Sequence, residues 1–161
     1  MPRVVSDTVP VNYLILIEAV DVLPRLFSTV LIPPGVRDEL SHSKAPAAVR
    51  SWISQPPDWL TAAIPKPLTA PEHSTLHQGE RQAIQLAVQE RCALLIDDRT
   101  GAFQARSQGV ESIGTLAVLF RTSQHGWVDL PEMFRRLRAT SFRSPIRLMA
   151  RILEEDALGK P

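Results

Sequence analysis

Short apolar runs alternate along the chain with segments of helical spacing, each bounded by polar or proline-containing stretches. Arg3 to Ser6 reads as a strand centred on the β-branched pair Val4-Val5, with Asp7-Thr8 at its carboxyl end. Pro10 suits the first turn of a following helix that carries Val11, Leu14, Ile15 and Ile17. Asp21 is expected to cap a second short helix reaching Phe27, with Pro24 in its first turn. Thr29 to Ile32 is a continuous apolar strand stopped by Pro33-Pro34, the pattern of a parallel strand buried on both faces. Val36 to His42 and Ala47 to Ser54 read as helices, and Trp59 to Ile64 as an edge strand. Pro65 to Leu76, with Pro65, Pro67 and Pro71 and no clear period, reads as a loop.

The alternation then resumes. Gly79 to Glu90 is a helix, and Ala93 to Ile96 a second buried strand that ends in Asp97-Asp98. Gly101 to Gln108 is a helix, Gly109 to Ile113 a turn and short strand, and Thr115 is placed to cap a helix running to about Ser123. Two helices are expected near Leu130 to Thr140 and Pro145 to Leu158. Ser144-Pro145 marks the start of the last, whose apolar face is expected at Ile146, Met149, Leu153 and Ala157. Short apolar strands alternating with helices imply an α/β fold with a parallel sheet covered on both faces. One domain over residues 1–161 is expected, its core at about 3–125 and its extra C-terminal helices at about 130–158.

Composition narrows the function classes. The chain has 161 residues, 44% of them hydrophobic and 22% charged, which suits a packed core and argues against disorder. A net charge of +1 gives no strong long-range steering toward nucleic acid, so any such binding must come from local patches. Cys92 is the single cysteine, which excludes an intramolecular disulfide and suits a reducing compartment. No apolar run reaches the ~18–20 residues of a membrane span. The N-terminus lacks an apolar leader core, so a cytoplasmic protein without membrane contact is expected. With no Gly-rich phosphate loop, a nucleotide cofactor is not expected either.

The candidate chemistry is carboxylate chemistry. Ligands of open α/β sheets bind outside the carboxyl ends of the strands, and Asp7 and Asp97-Asp98 stand there. Helix or turn capping competes as a reading for each aspartate. Glu80 lies one turn before Ile84 and two before Val88 and precedes Ala83 and Ala87 at i+3 and i+7, on the apolar stripe of its helix, although a first-turn glutamate is also favoured by the helix dipole. Glu39 flanks the apolar side of its helix, whereas Asp38 falls nearer solvent.

Ser6-Asp7-Thr8 with Pro10 and Asn12-Tyr13-Leu14 resembles the opening motif of PIN-domain proteins. So do Ile32-Pro33 with Val36 to Leu40, Gly79 to Ile84, Leu94 to Arg99, and Gly114-Thr115-Leu116. Their order and the trailing helices are similar to the PIN-like predicted nucleic-acid-binding branch, close to toxin ribonucleases of toxin–antitoxin pairs. The resemblance runs from about Val4 to Leu153. It implies a three-layer fold with an acidic pocket at the strand carboxyl ends. It implies Asp7, Glu39, Glu80 and Asp98 as the catalytic acids, with Asp7, Glu80, Asp98 and the adjacent Asp97 holding metal. Mg²⁺ or Mn²⁺ is the implied cofactor, an assignment that suits oxygen ligands. Endonucleolytic cleavage of RNA, a homodimer and a cognate antitoxin are implied as well. Thr8 and Thr115 would cap helices or support the site. Val9, Ile96 and Thr100 depart from residues common in the family, which bears on catalytic strength.

Other features support other readings. Arg135, Arg136, Arg143 and Arg147 belong to a basic stretch that reads either as an RNA-binding track or as a solvated face partly neutralised by neighbouring acids. His73 and His77 are four apart but lack the glutamate a helical zinc site requires. Cys92 reads as a small core residue, and Trp52, Trp59 and Trp127 as core or interface residues more than as base platforms. The rival class is a catalytically weak or inactive PIN-fold module that binds RNA or protein. A phosphoaspartate receiver would need a paired acid at an early strand end and a later lysine, an arrangement not evident here.

Overall fold

The computed structural model describes residues 1–67 and 76–159. Among them a five-stranded, all-parallel sheet is flanked by helices. The first two strands are β1 (Arg3–Ser6) and β2 (Thr29–Ile32). The others are β3 (Leu60–Ala62), β4 (Ala93–Leu95) and β5 (Ser112–Ile113). They are ordered β3-β2-β1-β4-β5. Val5 pairs with Leu31 on one side and Leu94 on the other, so β1 is central. Its Val4 and Val5 are fully buried, as a strand covered on both faces demands.

The helices are α1 (Thr8–Leu16), α2 (Leu23–Leu26), α3 (Pro34–Ser41), α4 (Ala47–Ser54) and α5 (Gln78–Glu90). They continue with α6 (Arg99–Ser107), α7 (Thr115–Gln124), α8 (Leu130–Arg138) and α9 (Ile146–Leu158). From β1 the chain builds outward through β2 and β3, then crosses back to place β4 on the other side of β1. The order therefore reverses between β1 and β4. At such a switch point the two outgoing connections diverge and leave a crevice at the strand carboxyl ends. Asp7 leaves β1 and Asp97-Asp98 leave β4 on the two sides of that crevice. The Asp7 peptide N–H still donates to the Leu95 carbonyl at 2.9 Å, so the ladder continues to the lip of the site.

α5 packs on β1 and β4 and against α3 and α6. Its approach to α3 is close because two glycines face each other. A Cβ on Gly35 would stand 2.9 Å from the Gly79 Cα, so a larger residue would push the helices apart. Gln82 fixes the crossing, its side-chain oxygen accepting the Gly35 N–H at 2.7 Å. α8 and α9 pack on α7 and on each other, with Leu130, Phe134, Leu137 and Met149 fully buried. Burying each such side chain stabilises the fold by roughly 1.5–3 kcal/mol, so the C-terminal helices are part of the core.

Several expectations change. Asp21 caps nothing; it lies inside a 3₁₀ turn, Val20–Val22, that precedes α2. The edge strand is shorter than Trp59 to Ile64 because only Leu60–Ala62 pairs with β2. On α5 the expected stripe positions Ala83, Ile84 and Ala87 do face inward, joined by Leu86, while Val88 is exposed. On α9 the inward positions are Met149, Ile152, Leu153 and Asp156, while Ile146 is 75% exposed. The acid at the end of that stripe, held by the Gln124 side-chain amide at 2.8 Å, rotates the buried face away from Ile146 and Ala157. No helix of the described residues is long and apolar enough to cross a membrane. Residues 68–75, including His73 and most of the proline-rich loop, lie outside the described residues.

Candidate active site

Asp7 sits where β1 turns into α1, in extended conformation at the helix N-cap, yet its side chain makes no capping hydrogen bond. It is only 2% exposed. Burial pushes its carboxyl up to about 7. The Thr8 peptide N–H pulls the value down, while the charges of Glu80, Glu39 and Asp97 raise it further. A buried acid among other acids carries a standing cost unless a cation meets it.

The other acids reach the same place from different elements. Glu80 stands in the first turn of α5, half-buried. Its carboxyl is raised by burial first and then by Asp98, with His77 lowering it and Glu39 raising it. Glu39 is exposed on α3, but its carboxylate leans onto the first turn of α5. A Cβ on Gly79 would lie 2.7 Å from its Oε1, so glycine there lets the acid in. Asp38, its neighbour, is also exposed and is not among the charges that shift Asp7 or Glu80.

Asp97 and Asp98 divide their work. Asp98 is a true N-cap, accepting the Gly101 N–H on Oδ2 at 2.7 Å at the start of α6. Asp97 turns the other way, toward α7. Its Oδ1 accepts the Thr115 N–H at 2.8 Å and its Oδ2 the Thr115 hydroxyl at 2.5 Å. Burial raises its carboxyl and the two Thr115 donors hold it down in part. Thr115 therefore supports the site without capping α7, whose N-cap is Gly114. Thr8 caps nothing either; its hydroxyl is buried without a hydrogen-bond partner.

A cleft of about 1030 Å³ opens over this edge. Glu80, Asp97 and Asp98 line its acidic part, with Val9 beside them. Tyr13, Phe142, Arg99, Arg143 and Arg151 line the same cleft. Of the four arginines singled out in the sequence, only Arg143 lines the cleft. Arg135 and Arg136 bind Glu132 on α8, and Arg136 also donates to the Ile17 carbonyl at 3.0 Å. Arg147 is exposed on α9. Tyr13, Arg99 and Phe142 were not foreseen as site residues. A Tyr inside the opening motif, and an Arg beside the paired aspartates, are signals that could have found the first two.

The donor set fits a hard divalent cation. It is all oxygen, and among the described residues no Lys or Arg is among the charges that shift Asp7. The unpartnered Thr8 hydroxyl is one more polar group at the same turn. Among the described residues no three of these side chains already converge as a closed ligand set.

The comparisons agree with this architecture. No curated protein matches the chain. Among solved structures, a PilT N-terminus domain protein from the hyperthermophilic archaeon Sulfolobus solfataricus is similar in fold. Its TM-score is 0.54 at 17% identity, over 76% of this chain and 93% of that one. The profile of the PIN domain family matches residues 3–157, almost the whole length, and the chain belongs to that family.

Proposed function

We propose that this protein is a divalent-metal-dependent endoribonuclease of PIN type, the toxin component of a toxin–antitoxin pair acting in the cytoplasm. PIN domains are generally nucleases that use divalent metals, and membership supports that kind of chemistry. The observation that carries the reading is Asp7: a buried carboxylate at the topological switch point, ringed by Glu39, Glu80 and Asp97. Asp7, Glu80 and Asp98 would hold Mg²⁺ or Mn²⁺, with Asp97 beside them. When bound, the ion supplies charge neutralisation and a water of lowered pKa. Asp97, clamped by Thr115, fixes the spacing between the β4 end and α7. Glu39 reaches the site edge across Gly79 and Glu80 faces it from the start of α5, so the two can orient the attacking water. A homodimer and a cognate antitoxin that covers the acidic pocket complete the reading. The chemistry suited to that cover is an arginine side chain.

The test is cleavage of a broad RNA panel by the purified, partner-free chain, with and without Mn²⁺. Metal-dependent internal cleavage that Asp7→Asn abolishes is the expected result; cleavage unaffected by Asp7→Asn sinks the assignment. Light scattering showing a strict monomer at high concentration would remove the dimer, and failure of any small neighbouring gene product to co-purify would remove the antitoxin. One observation favours a second reading, a PIN-fold binding module without activity: among the described residues the carboxylates are not preassembled as a ligand set. A thermal melt separates the two, because a metal site at a hundredfold excess over its Kd stabilises by about 2.7 kcal/mol, and an inert module gains nothing.

A further inference from the structure

We propose that Tyr13, Phe142, Arg143 and Arg151 form a subsite that grips an unpaired nucleotide of single-stranded RNA next to the acidic edge. The inference rests on the nuclease reading of the same cleft and adds which residues hold the substrate.

Tyr13 and Phe142 meet with ring centroids 5.1 Å apart and planes at 77°, forming an aromatic corner. A base stacked on one ring meets the edge of the other, which limits its orientation. The corner is fixed from several sides. The Tyr13 hydroxyl lies 2.8 Å from the Ser141 Oγ. The Phe142 N–H donates to the Thr140 Oγ1 at 3.1 Å, and the Ser144 hydroxyl donates to the Phe142 carbonyl at 3.2 Å. Both rings line the cleft that also contains Glu80, Asp97 and Asp98.

Charge selects the occupant. Arg143 and Arg151 line the same cleft, and among the described residues neither pairs with an acid. Arg135 and Arg136 are paired with Glu132 and lie outside the cleft, so the guanidinium groups it offers are those of Arg99, Arg143 and Arg151. Carboxylates alone would draw a basic peptide. Carboxylates flanked by unpaired arginines and an aromatic corner suit a phosphate-linked chain: arginines for flanking phosphates, rings for a base, acids for the scissile linkage through a cation. A duplex keeps its bases inside the stack and cannot offer a free π-face, so the strand must be unpaired.

The experiment is fluorescence anisotropy with a short labelled single-stranded RNA and the full chain in EDTA, where binding is read without cleavage. A stacked base is worth about 1–3 kcal/mol by alanine substitution, so Phe142→Ala should weaken binding by roughly tenfold. Phe142→Leu keeps apolar bulk, loses the π-face, and should weaken binding too, which separates stacking from misfolding. Arg143→Gln with Arg151→Gln should lower the salt slope by about 0.7 per lost contact. Arg135→Gln should bind like wild type. The subsite is overturned if both Phe142 variants bind unchanged, if duplex RNA competes as well as single strand, or if an arginine-rich peptide binds and RNA does not. Metal-dependent cleavage together with unchanged Phe142 variants would spare the nuclease reading and remove only the subsite. Absence of both binding and cleavage would remove the two together.

Discussion

Glu132 on α8 and Asp7 behind β1 are both carboxylates in reach of other charges, and the chain treats them in opposite ways. Glu132 receives Arg135 Nη2 at 2.5 Å and Arg136 Nε at 3.2 Å, and those hydrogen bonds hold its carboxyl down near 2. Among the described residues no Lys or Arg shifts Asp7; burial and three neighbouring acids push it up to about 7. Where an acid only decorates a helix, the sequence places arginines three and four residues later to satisfy it. At the sheet edge it gathers acids from four elements, and among the described residues no Lys or Arg pairs with them. Without a cation that arrangement weakens the fold, which is the cost the proposed metal would offset.

The largest expected effect sharpens this contrast. Asp7→Asn should reduce metal-dependent RNA cleavage more than a hundredfold, since even residues behind a metal ligand cost about 10–100-fold. The same substitution should raise the melting temperature in EDTA, because it removes a buried charge. A variant that loses activity and stability together would mark Asp7 as an ordinary structural residue.

The pH dependence comes next. Asp7 titrates near 7 in the fold against 3.8 for the ordinary side chain. Between those values the native state holds a proton that the unfolded state has released. Metal-free stability should therefore fall as pH rises from about 4 to about 7 and then level off, by at most roughly 4 kcal/mol. Glu80 and Asp97 are raised as well and act with the same sign. Urea titrations in EDTA at pH 5 and pH 8 check this: wild type should be more stable at pH 5, and Asp7→Asn should flatten the difference. Stability that climbs over that interval would contradict the arrangement.

A smaller effect is expected at Thr115. Thr115→Val leaves Asp97 without its hydroxyl donor in a half-buried place, at a cost of about 1–2 kcal/mol. Thr115→Ser should restore it. A melt in which serine behaves like valine would show that the methyl group, and not the hydrogen bond, matters there.

These residues also mark what could be read from the sequence. The strands were legible because a sheet covered on both faces needs uninterrupted apolar runs, and Val4-Val5 and Thr29 to Ile32 supply them. The placement of Asp7, Asp97 and Asp98 at strand carboxyl ends and of Glu80 in the first turn of α5 was legible because these are local features. Asp97 and Asp98 could not be told apart, since their difference lies in partners: Gly101 is three residues from Asp98, Thr115 eighteen from Asp97. The face of α9 was misread because a buried Asp156 counts as polar in any periodicity, although Gln124 satisfies it. The aromatic corner joins Tyr13 to Phe142 across nearly the whole chain, and no local pattern announces that. The engagement of Arg135 and Arg136, by contrast, was available from their spacing after Glu132.

The smallest expected effect belongs to the compensated region. Glu132→Gln removes the charge behind three hydrogen bonds from two arginines, but on an exposed helix they exchange for water at little net cost. Arg136 keeps its bond to the Ile17 carbonyl, so α8 stays fastened to the end of α1. The pH sign is opposite to that of Asp7. A carboxyl lowered to about 2 contributes above its ordinary 4.5 and loses that contribution only as pH falls through about 2. Between pH 5 and pH 8, Glu132→Gln should therefore leave the melting temperature close to wild type and its pH profile unchanged. RNA cleavage should also stay at the wild-type rate, since neither Glu132 nor its arginines line the cleft. If this variant cut activity or melted as low as Thr115→Val, the two carboxylate regions would be coupled, and the separation between a satisfied acid and a waiting one would fail.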